Sequence, residues 1–380
     1  MVADPVVGFV PPPYPYDRLR ALERLADSLP GGVVDCSVGT PCDPVPRVAI
    51  EAASDALARS MGYPASAGSP PLREAAAAWI GRRFGVTIEA EHVGACVGTK
   101  ELVAALPHLL RLRNPQRDTV LYPAVAYPTY EMGAVLAGCR AVPVSLDADW
   151  HLDLGAVRDD DASRALLLWV NEPGNPSASA ADRAQLGRVA AWARDRGIVV
   201  ASDECYAEFA PEPATILTSG TDGVLAVHSL SKRSNLAGMR VGFYAGDPSL
   251  VSYLVETRKH AGLMAPVAMQ AAAVAALGDD AHVEEQRARY ARRRSRALEA
   301  LAPLGLVHDG GPCSFYVWLR RADGADDGWE IAAQLAQVAG LLVAPGDLYG
   351  PSGGDHVRLA LVQPDERLEL AFDRLARGTH

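Results

Sequence analysis

The sequence predicts an α/β protein: a large domain on a mostly parallel, seven-stranded sheet covered by helices, followed by a smaller α+β domain. Three observations predict it. Between about residues 90 and 246, seven short apolar runs appear, several of them separated by longer segments of helical pattern. That is the signature of strands buried on both faces and joined by crossover helices. After about residue 265 the alternation gives way to two successive helical patterns. The chain has 380 residues, 49% of them apolar, which exceeds one ordinary core and suits a large domain plus a smaller one.

In chain order, residues 1–40 are too short to stand alone and are expected to pack with the small domain. Residues 41–265 form the large domain, with an Ala-rich helix in LREAAAAWIGRRFG (72–85). The strands are HVGACVG (92–98), TVLYP (119–123), RAVPVSL (140–146), RALLLWVN (164–171), GIVVASDE (197–204), GVLAVHSL (223–230) and MRVGFYAG (239–246). Between two of them, SASAADRAQLGRVAAWARDRG (177–197) reads as a helix starting in a Ser/Ala-rich run and stopping at Gly197. Residues 266–380 form the small domain. Its helices are APVAMQAAAVAAL, a long charged one in VEEQRARYARRRSRALEALAPLG, one near WEIAAQLAQVAG, and one that closes the chain. Its strands are SFYVWLR, LLVAP and HVRLALV.

The formal net charge of −10 argues against non-specific binding to nucleic acid or to a membrane surface. The six cysteines form no CxxC pair and no His cluster has metal-ligand spacing, so free thiols and no metal are expected. The first residues lack a basic region followed by a long apolar run, and no run reaches roughly 18 apolar residues. A cytoplasmic protein is expected.

Ligands of an open parallel sheet bind beyond the carboxyl ends of its strands, and the conspicuous polar residues lie there. LLLWVN leads into Glu172-Pro173-Gly174-Asn175-Pro176, IVVASDE ends at Asp203 with Tyr206 three residues on, TVLYP leads to Tyr127, and LAVHSLS leads to Lys232. Each has a plainer reading alone. Asp203 suits a helix N-cap, Asn175 a turn, Tyr127 and Tyr206 half-buried aromatics, Gly98-Thr99-Lys100 a helix start, and Lys232 with Arg240 a solvated basic loop. Together they suit a cofactor. A lysine forms a Schiff base with an aldehyde, an arginine grips a phosphate with two hydrogen bonds, and helix-start N–H groups favour the same phosphate. An aspartate keeps a pyridinium nitrogen protonated and a tyrosine stacks on the ring. Pyridoxal 5′-phosphate (PLP) needs all of these.

These blocks resemble the fold-type I, class I/II aminotransferases. SLSKRSNLAGMR resembles that family's lysine signature, with its arginine eight residues on, and EPGNPS resembles its NPxNPT block. SDECY resembles DExY, HVRLAL the C-terminal arginine strand, and GYPASAGSPPLREA the YxxxxGxxxLR segment. The resemblance runs from about Val33 to the end. DCSVGTPCDPVP, GTKELVAALPHLL, AYPTYEMGAVLAG, RKHAGLMAP and LLVAPGDLYG narrow it to the actinobacterial N-succinyldiaminopimelate aminotransferase branch. Met239, Glu172 and Gly174 depart from the family pattern.

The resemblance implies roles. Lys232 carries the cofactor and moves a proton from the substrate Cα to C4′. Asp203 pairs with the ring nitrogen, Tyr206 and Asn175 with the 3′-oxygen, and Tyr127 stacks on the ring. Arg240, Ser229 and the backbone N–H groups of Gly98, Thr99 and Lys100 hold the phosphate, and Tyr63 reaches it from the neighbouring subunit of a homodimer with shared active sites. Arg358 takes the substrate α-carboxylate and Gly39 approaches it through its backbone. Ser231 is expected to order the loop and Arg233 to be exposed, outside the catalytic set.

The activity implied is transfer between N-succinyl-LL-2,6-diaminopimelate and 2-oxoglutarate, with glutamate as the other amino acid, by a ping-pong route through pyridoxamine phosphate. A paralogue acting on another acidic amino acid, or a PLP-dependent carbon–sulfur lyase or cyclopropane-forming synthase, would use the same cofactor residues. A PLP-binding regulator would carry a basic helix-turn-helix, for which the sequence has no segment.

Overall fold

The computed structural model describes residues 8–59 and 62–378. Its strands are β1 (Val34–Asp35), β2 (Val93–Cys96), β3 (Thr119–Pro123), β4 (Arg140–Val144), β5 (Ala165–Asn171), β6 (Val199–Asp203), β7 (Val224–Ser229), β8 (Gly242–Gly246), β9 (Leu306–His308), β10 (Tyr316–Arg321), β11 (Leu341–Leu342), β12 (Ala344–Pro345) and β13 (His356–Ala360). All seven apolar runs become strands of one sheet in the order β2-β8-β7-β6-β5-β3-β4. The pairings from β7 across to β4 are parallel, and only β8 runs antiparallel to its two neighbours. The run ALLLWVN of β5 is buried at every position, as a strand covered on both faces requires.

Register brings the site together. Asn171 lies opposite Asp203, Asp203 opposite Val227, and Ser229 opposite Gly242. The carboxyl ends of β5, β6 and β7 therefore open onto one rim.

The helix between β5 and β6 spans Arg183–Arg194 and starts later than the Ser/Ala-rich run suggested. Asp182 is its cap. The Asp182 carboxylate accepts from the Gln185 N–H at 2.7 Å, and the Gln185 side chain accepts from the Asp182 N–H at 2.7 Å. This reciprocal box satisfies two donors that Ser or Ala upstream would leave open.

A second core surrounds the antiparallel sheet β12-β13-β10-β9. It takes Tyr290, Ala297 and Leu301 from the helix Ala281–Leu301, and Leu19, Leu22 and Val34 from the N-terminal part. β1 pairs in parallel with β11. The stretch LLVAP thus divides between two sheets, with β11 in one and β12 in the other. The helix Val267–Gly278 behaves differently from its expected grouping with the second core. Its Ala272, Ala273, Ala276 and Leu277 are buried in the core of the seven-stranded sheet. Its small side chains let it pack against the helices Arg47–Leu57 and Pro70–Phe84. Among the described residues no helix is long and apolar enough to cross a membrane.

Candidate active site

A cavity of about 550 Å³ opens at the carboxyl ends of β5–β7. Asp203, the last residue of β6, lines it. Its Oδ2 accepts from the Tyr130 hydroxyl at 2.8 Å and its Oδ1 from the Cys205 N–H at 3.3 Å. Burial raises its carboxyl above the usual carboxylate range, while the Cys205 and Tyr130 bonds and the charge of Lys232 pull the other way.

Lys232 sits on the single helical turn Leu230–Arg233 that follows β7. Ser229 caps that turn, its side-chain oxygen accepting from the Ser231 N–H at 3.1 Å. Lys232 Nζ donates to the Gly39 carbonyl. Burial pushes its ammonium down from 10.5 to about 8, and the positive charges of Arg358 and Arg240 act in the same direction. A lysine in this range loses its proton readily and becomes a base and nucleophile.

One end of the cavity suits an anion. The helix Thr99–Arg113 starts after Gly98, which has no side chain to satisfy the first N–H groups. Gly98 has φ +75°, and a Cβ there would lie 2.1 Å from Arg240 Nη2. Arg240 is itself left-handed, φ +50°, and its Nη1 donates to the Ala237 carbonyl at 2.8 Å. Thr99, Ser229 and Arg240 line the cavity here.

The other end holds Arg358, on β13 and 1% exposed. Its Nη1 donates to Asn175 Oδ1 at 2.7 Å, and its Nη2 to the Ser37 carbonyl at 2.5 Å. The guanidinium lies 4.1 Å from the Tyr316 ring centroid and 4.8 Å from that of Tyr349. Burial works against its charge, yet the hydroxyls of Tyr16, Tyr349 and Tyr316 leave it held above the usual arginine range. A Cβ on Gly39 would come within 2.1 Å of the Tyr316 hydroxyl, so the backbone passes here only as glycine.

The structure thus brings Gly39, Thr99, Lys100, Tyr127, Asn175, Asp203, Tyr206, Ser229, Lys232, Arg240 and Arg358 to one cavity, with Gly98 against Arg240. Tyr63 is 97% exposed and does not line the cavity of its own chain. Arg233 is corrected: it is 4% exposed, not solvated. Its Nε pairs with Glu208, which also pairs with Arg83 at 2.9 Å. Ser231 is buried and lines the cavity.

Sequence reasoning missed Tyr130, Tyr16, Tyr316 and Tyr349, and the side chain of Lys100. Tyr130 was findable: it follows Tyr127 by three residues, in the first turn of the helix Thr129–Leu136, and the two rings meet edge-on at 5.8 Å. Tyr206 does not point its hydroxyl into empty space; it shares a 2.9 Å hydrogen bond with the Tyr316 hydroxyl. Lys100 Nζ lies 5.1 Å over the Tyr14 ring and 6.0 Å over Tyr127, so its neighbours are aromatic.

The donor set fits PLP. One half-buried amine, one oriented carboxylate, a flat aromatic wall and a cationic cradle that a Cβ at residue 98 would fill meet around one volume. That volume suits a cofactor with a small substrate.

The family model described as aminotransferase class I and II matches residues 32–375. A probable aminotransferase of Mycobacterium tuberculosis, Rv1178, is 46% identical over 96% of this chain and 85% of that protein. The 4-dedimethylamino-4-oxo-anhydrotetracycline transaminase OxyQ of Streptomyces rimosus is 43% identical over 96% of this chain and 99% of that protein. A solved structure of a probable N-succinyldiaminopimelate aminotransferase from Thermus thermophilus aligns with TM-score 0.86 at 30% identity, covering 96% of this chain and 100% of that one.

Proposed function

The chain belongs to the class I and II aminotransferases, and on that premise we propose that it exchanges the amino group between glutamate and N-succinyl-2-amino-6-oxopimelate, in two half-reactions at one site. PLP is its cofactor; when bound it supplies the aldehyde carbon that carries the amino group and a ring that spreads the charge left at Cα.

The chain's own residues divide the rest. Lys232 Nζ would hold the cofactor, and its free amine would carry the proton from the substrate Cα to the cofactor C4′. Its depression to about 8 makes the neutral amine accessible near neutral pH. Asp203, oriented by Tyr130, offers a carboxylate to the ring nitrogen. Tyr206 and the amide nitrogen of Asn175 serve the ring oxygen; Asn175 Oδ1 is taken by Arg358. Tyr127 covers the ring face. Arg240, Ser229 and the N–H groups at Gly98, Thr99 and Lys100 hold the phosphate. Arg358 and the Gly39 backbone receive the α-carboxylate. Tyr63, fully exposed on one chain, reaches the phosphate of a second copy in a homodimer.

The observation that carries this reading is Lys232: a half-buried lysine with a depressed proton affinity, in one cavity with Asp203 and Arg358. The acidic acceptor is supported by Lys100. Its Nζ donates to the Tyr14 hydroxyl at 3.4 Å and lies over the Tyr14 and Tyr127 rings, so what meets this cavity cation is aromatic and neutral rather than a carboxylate. The printed name of the Thermus relative agrees with that acceptor.

A second reading has its own support. The chain is 43% identical to OxyQ over nearly that whole protein, against 30% for the Thermus structure. It predicts a polycyclic ketone as acceptor. The test is a two-stage assay. Glutamate alone should bleach the aldehyde absorbance of the PLP-loaded protein and release 2-oxoglutarate; an unbleached spectrum with glutamate, beside pyruvate and ammonia released from cysteine, would refute transamination in favour of a lyase. The aminated form is then offered succinylated and free oxopimelate and polycyclic ketones. Recovery of the absorbance with the ketones alone would select the second reading.

A further inference from the structure

Two hydroxyls near Arg358 have no place in the scheme above. Tyr16 lies on the turn Pro15–Leu19, and its hydroxyl is 2.8 Å from that of Tyr349. The same Tyr16 oxygen accepts from Arg358 Nη2 at 3.4 Å. Tyr349 is 4% exposed, and its ring faces the guanidinium. The turn is fixed from both sides. Leu19 and Leu22 anchor it in the second core, and Arg18 pairs at 2.9 Å with Asp347, two residues before Tyr349. The Tyr349 carbonyl in turn accepts from the Ala126 N–H at 2.9 Å, next to Tyr127.

Arg358 needs this support. Asn175 holds Nη1, the Ser37 carbonyl holds Nη2, and Nε is buried without a partner. Asn175 and the Ser37 carbonyl each hold one Nη through a single acceptor, so the plane can still tilt about those two points. A second acceptor on Nη2 limits that tilt, and planar recognition of a carboxylate depends on the plane.

We propose that the Tyr16–Tyr349 hydroxyl pair is a positioning element of the α-carboxylate site: it fixes the Nη2 edge of Arg358 and makes the N-terminal turn part of amino-acid recognition. This rests on the reading of Arg358 as the carboxylate receptor. Tyr16 and Tyr349 act through Arg358 and take no part in proton transfer. Removing either hydroxyl breaks the same relay, so the two losses do not add.

The test uses the PLP-loaded protein and single-turnover bleaching by glutamate. Tyr16→Phe and Tyr349→Phe each raise the half-saturating glutamate concentration by about three- to tenfold, the worth of one hydrogen bond. The limiting rate stays within about twofold, and the double variant matches either single one. Binding of 2-methylglutamate, which has no Cα hydrogen to lose, weakens by the same factor. Arg358→Gln serves as the reference and weakens both far more. If Arg358→Gln weakens glutamate and the two Phe variants do not, the relay is wrong and the carboxylate receptor stands. If Arg358→Gln leaves half-saturation unchanged, the receptor reading itself fails. A fall in limiting rate at constant half-saturation, or additive single losses, also overturns the relay.

Discussion

Gly98→Ala tests the anion cradle at its narrowest point. Two effects of different size are expected. The backbone at residue 98 has φ +75° and ψ 149°, a region nearly closed to residues with a Cβ. Strain there costs about 1–3 kcal/mol of stability with or without cofactor. The second effect is local. The new Cβ would sit 2.1 Å from Arg240 Nη2 and 2.6 Å from its Cζ. A guanidinium is the flexible end of a side chain, so the clash is relieved by moving Arg240 away from the helix start. That withdraws a charged donor from the phosphate, worth about 1.5–3 kcal/mol. PLP affinity should therefore fall by about 10- to 100-fold. The assay is titration of cofactor-free protein with PLP, followed by visible absorbance, beside a denaturation curve of the cofactor-free form. Arg240→Met separates the effects: it should weaken PLP by a similar factor without the backbone strain. The double variant should bind PLP no more weakly than Arg240→Met alone. Wild-type affinity in Gly98→Ala, or losses that add in the double variant, would refute the reasoning.

Three further outcomes follow from the same contacts. Lys232→Met should abolish turnover and yet stabilise the cofactor-free protein at neutral pH. The folded state holds this lysine at about 8 against 10.5 in a free side chain, so its burial is unfavourable below pH 8 and the penalty fades as pH rises toward 10.5. The gain is at most about 3 kcal/mol; denaturation at pH 7 and pH 10.5 should show it at the first and lose it at the second. Glu101→Ala should cost about 3–5 kcal/mol by denaturation, because it strands the fully buried Arg258 that Glu101 holds at 2.5 and 2.9 Å. A cost under about 1 kcal/mol would show that the pair does not carry that load. Arg358→Lys keeps the charge and loses the fork, so glutamate half-saturation should rise; unchanged steady-state kinetics would contradict the carboxylate assignment.

The inner strands of the large sheet were legible because they are covered on both faces, unlike the edge strand β4. Each had to be an apolar run, and β5 is buried at all seven positions. Of the residues proposed to meet the cofactor, Asp203, Tyr206, Asn175 and Lys232 were legible because each lies at or just beyond the end of such a run. The Tyr16–Tyr349 contact was not, because it joins residues 333 apart through two separate turns, and neither helical nor strand periodicity registers such a pair. LLVAP looked like one strand for a similar reason: which sheet a short apolar run joins depends on neighbours distant in sequence. Lys232 and Arg233 make the sharper case. They are adjacent in a polar loop, and the sequence offered no ground for burying the second. The fold buries Arg233 and leaves Lys232 half-buried at the cavity wall, and they differ in what meets them. Arg233 finds Glu208, two elements away, and is neutralised where it stands. Lys232 meets a carbonyl and a cavity, and with two further arginines nearby its ammonium is disfavoured. Burial is the main cause of that depression and Asp203 only partly offsets it, whereas Arg233 has a carboxylate in direct contact; that difference in partners is what marks Lys232 as the candidate reactive residue.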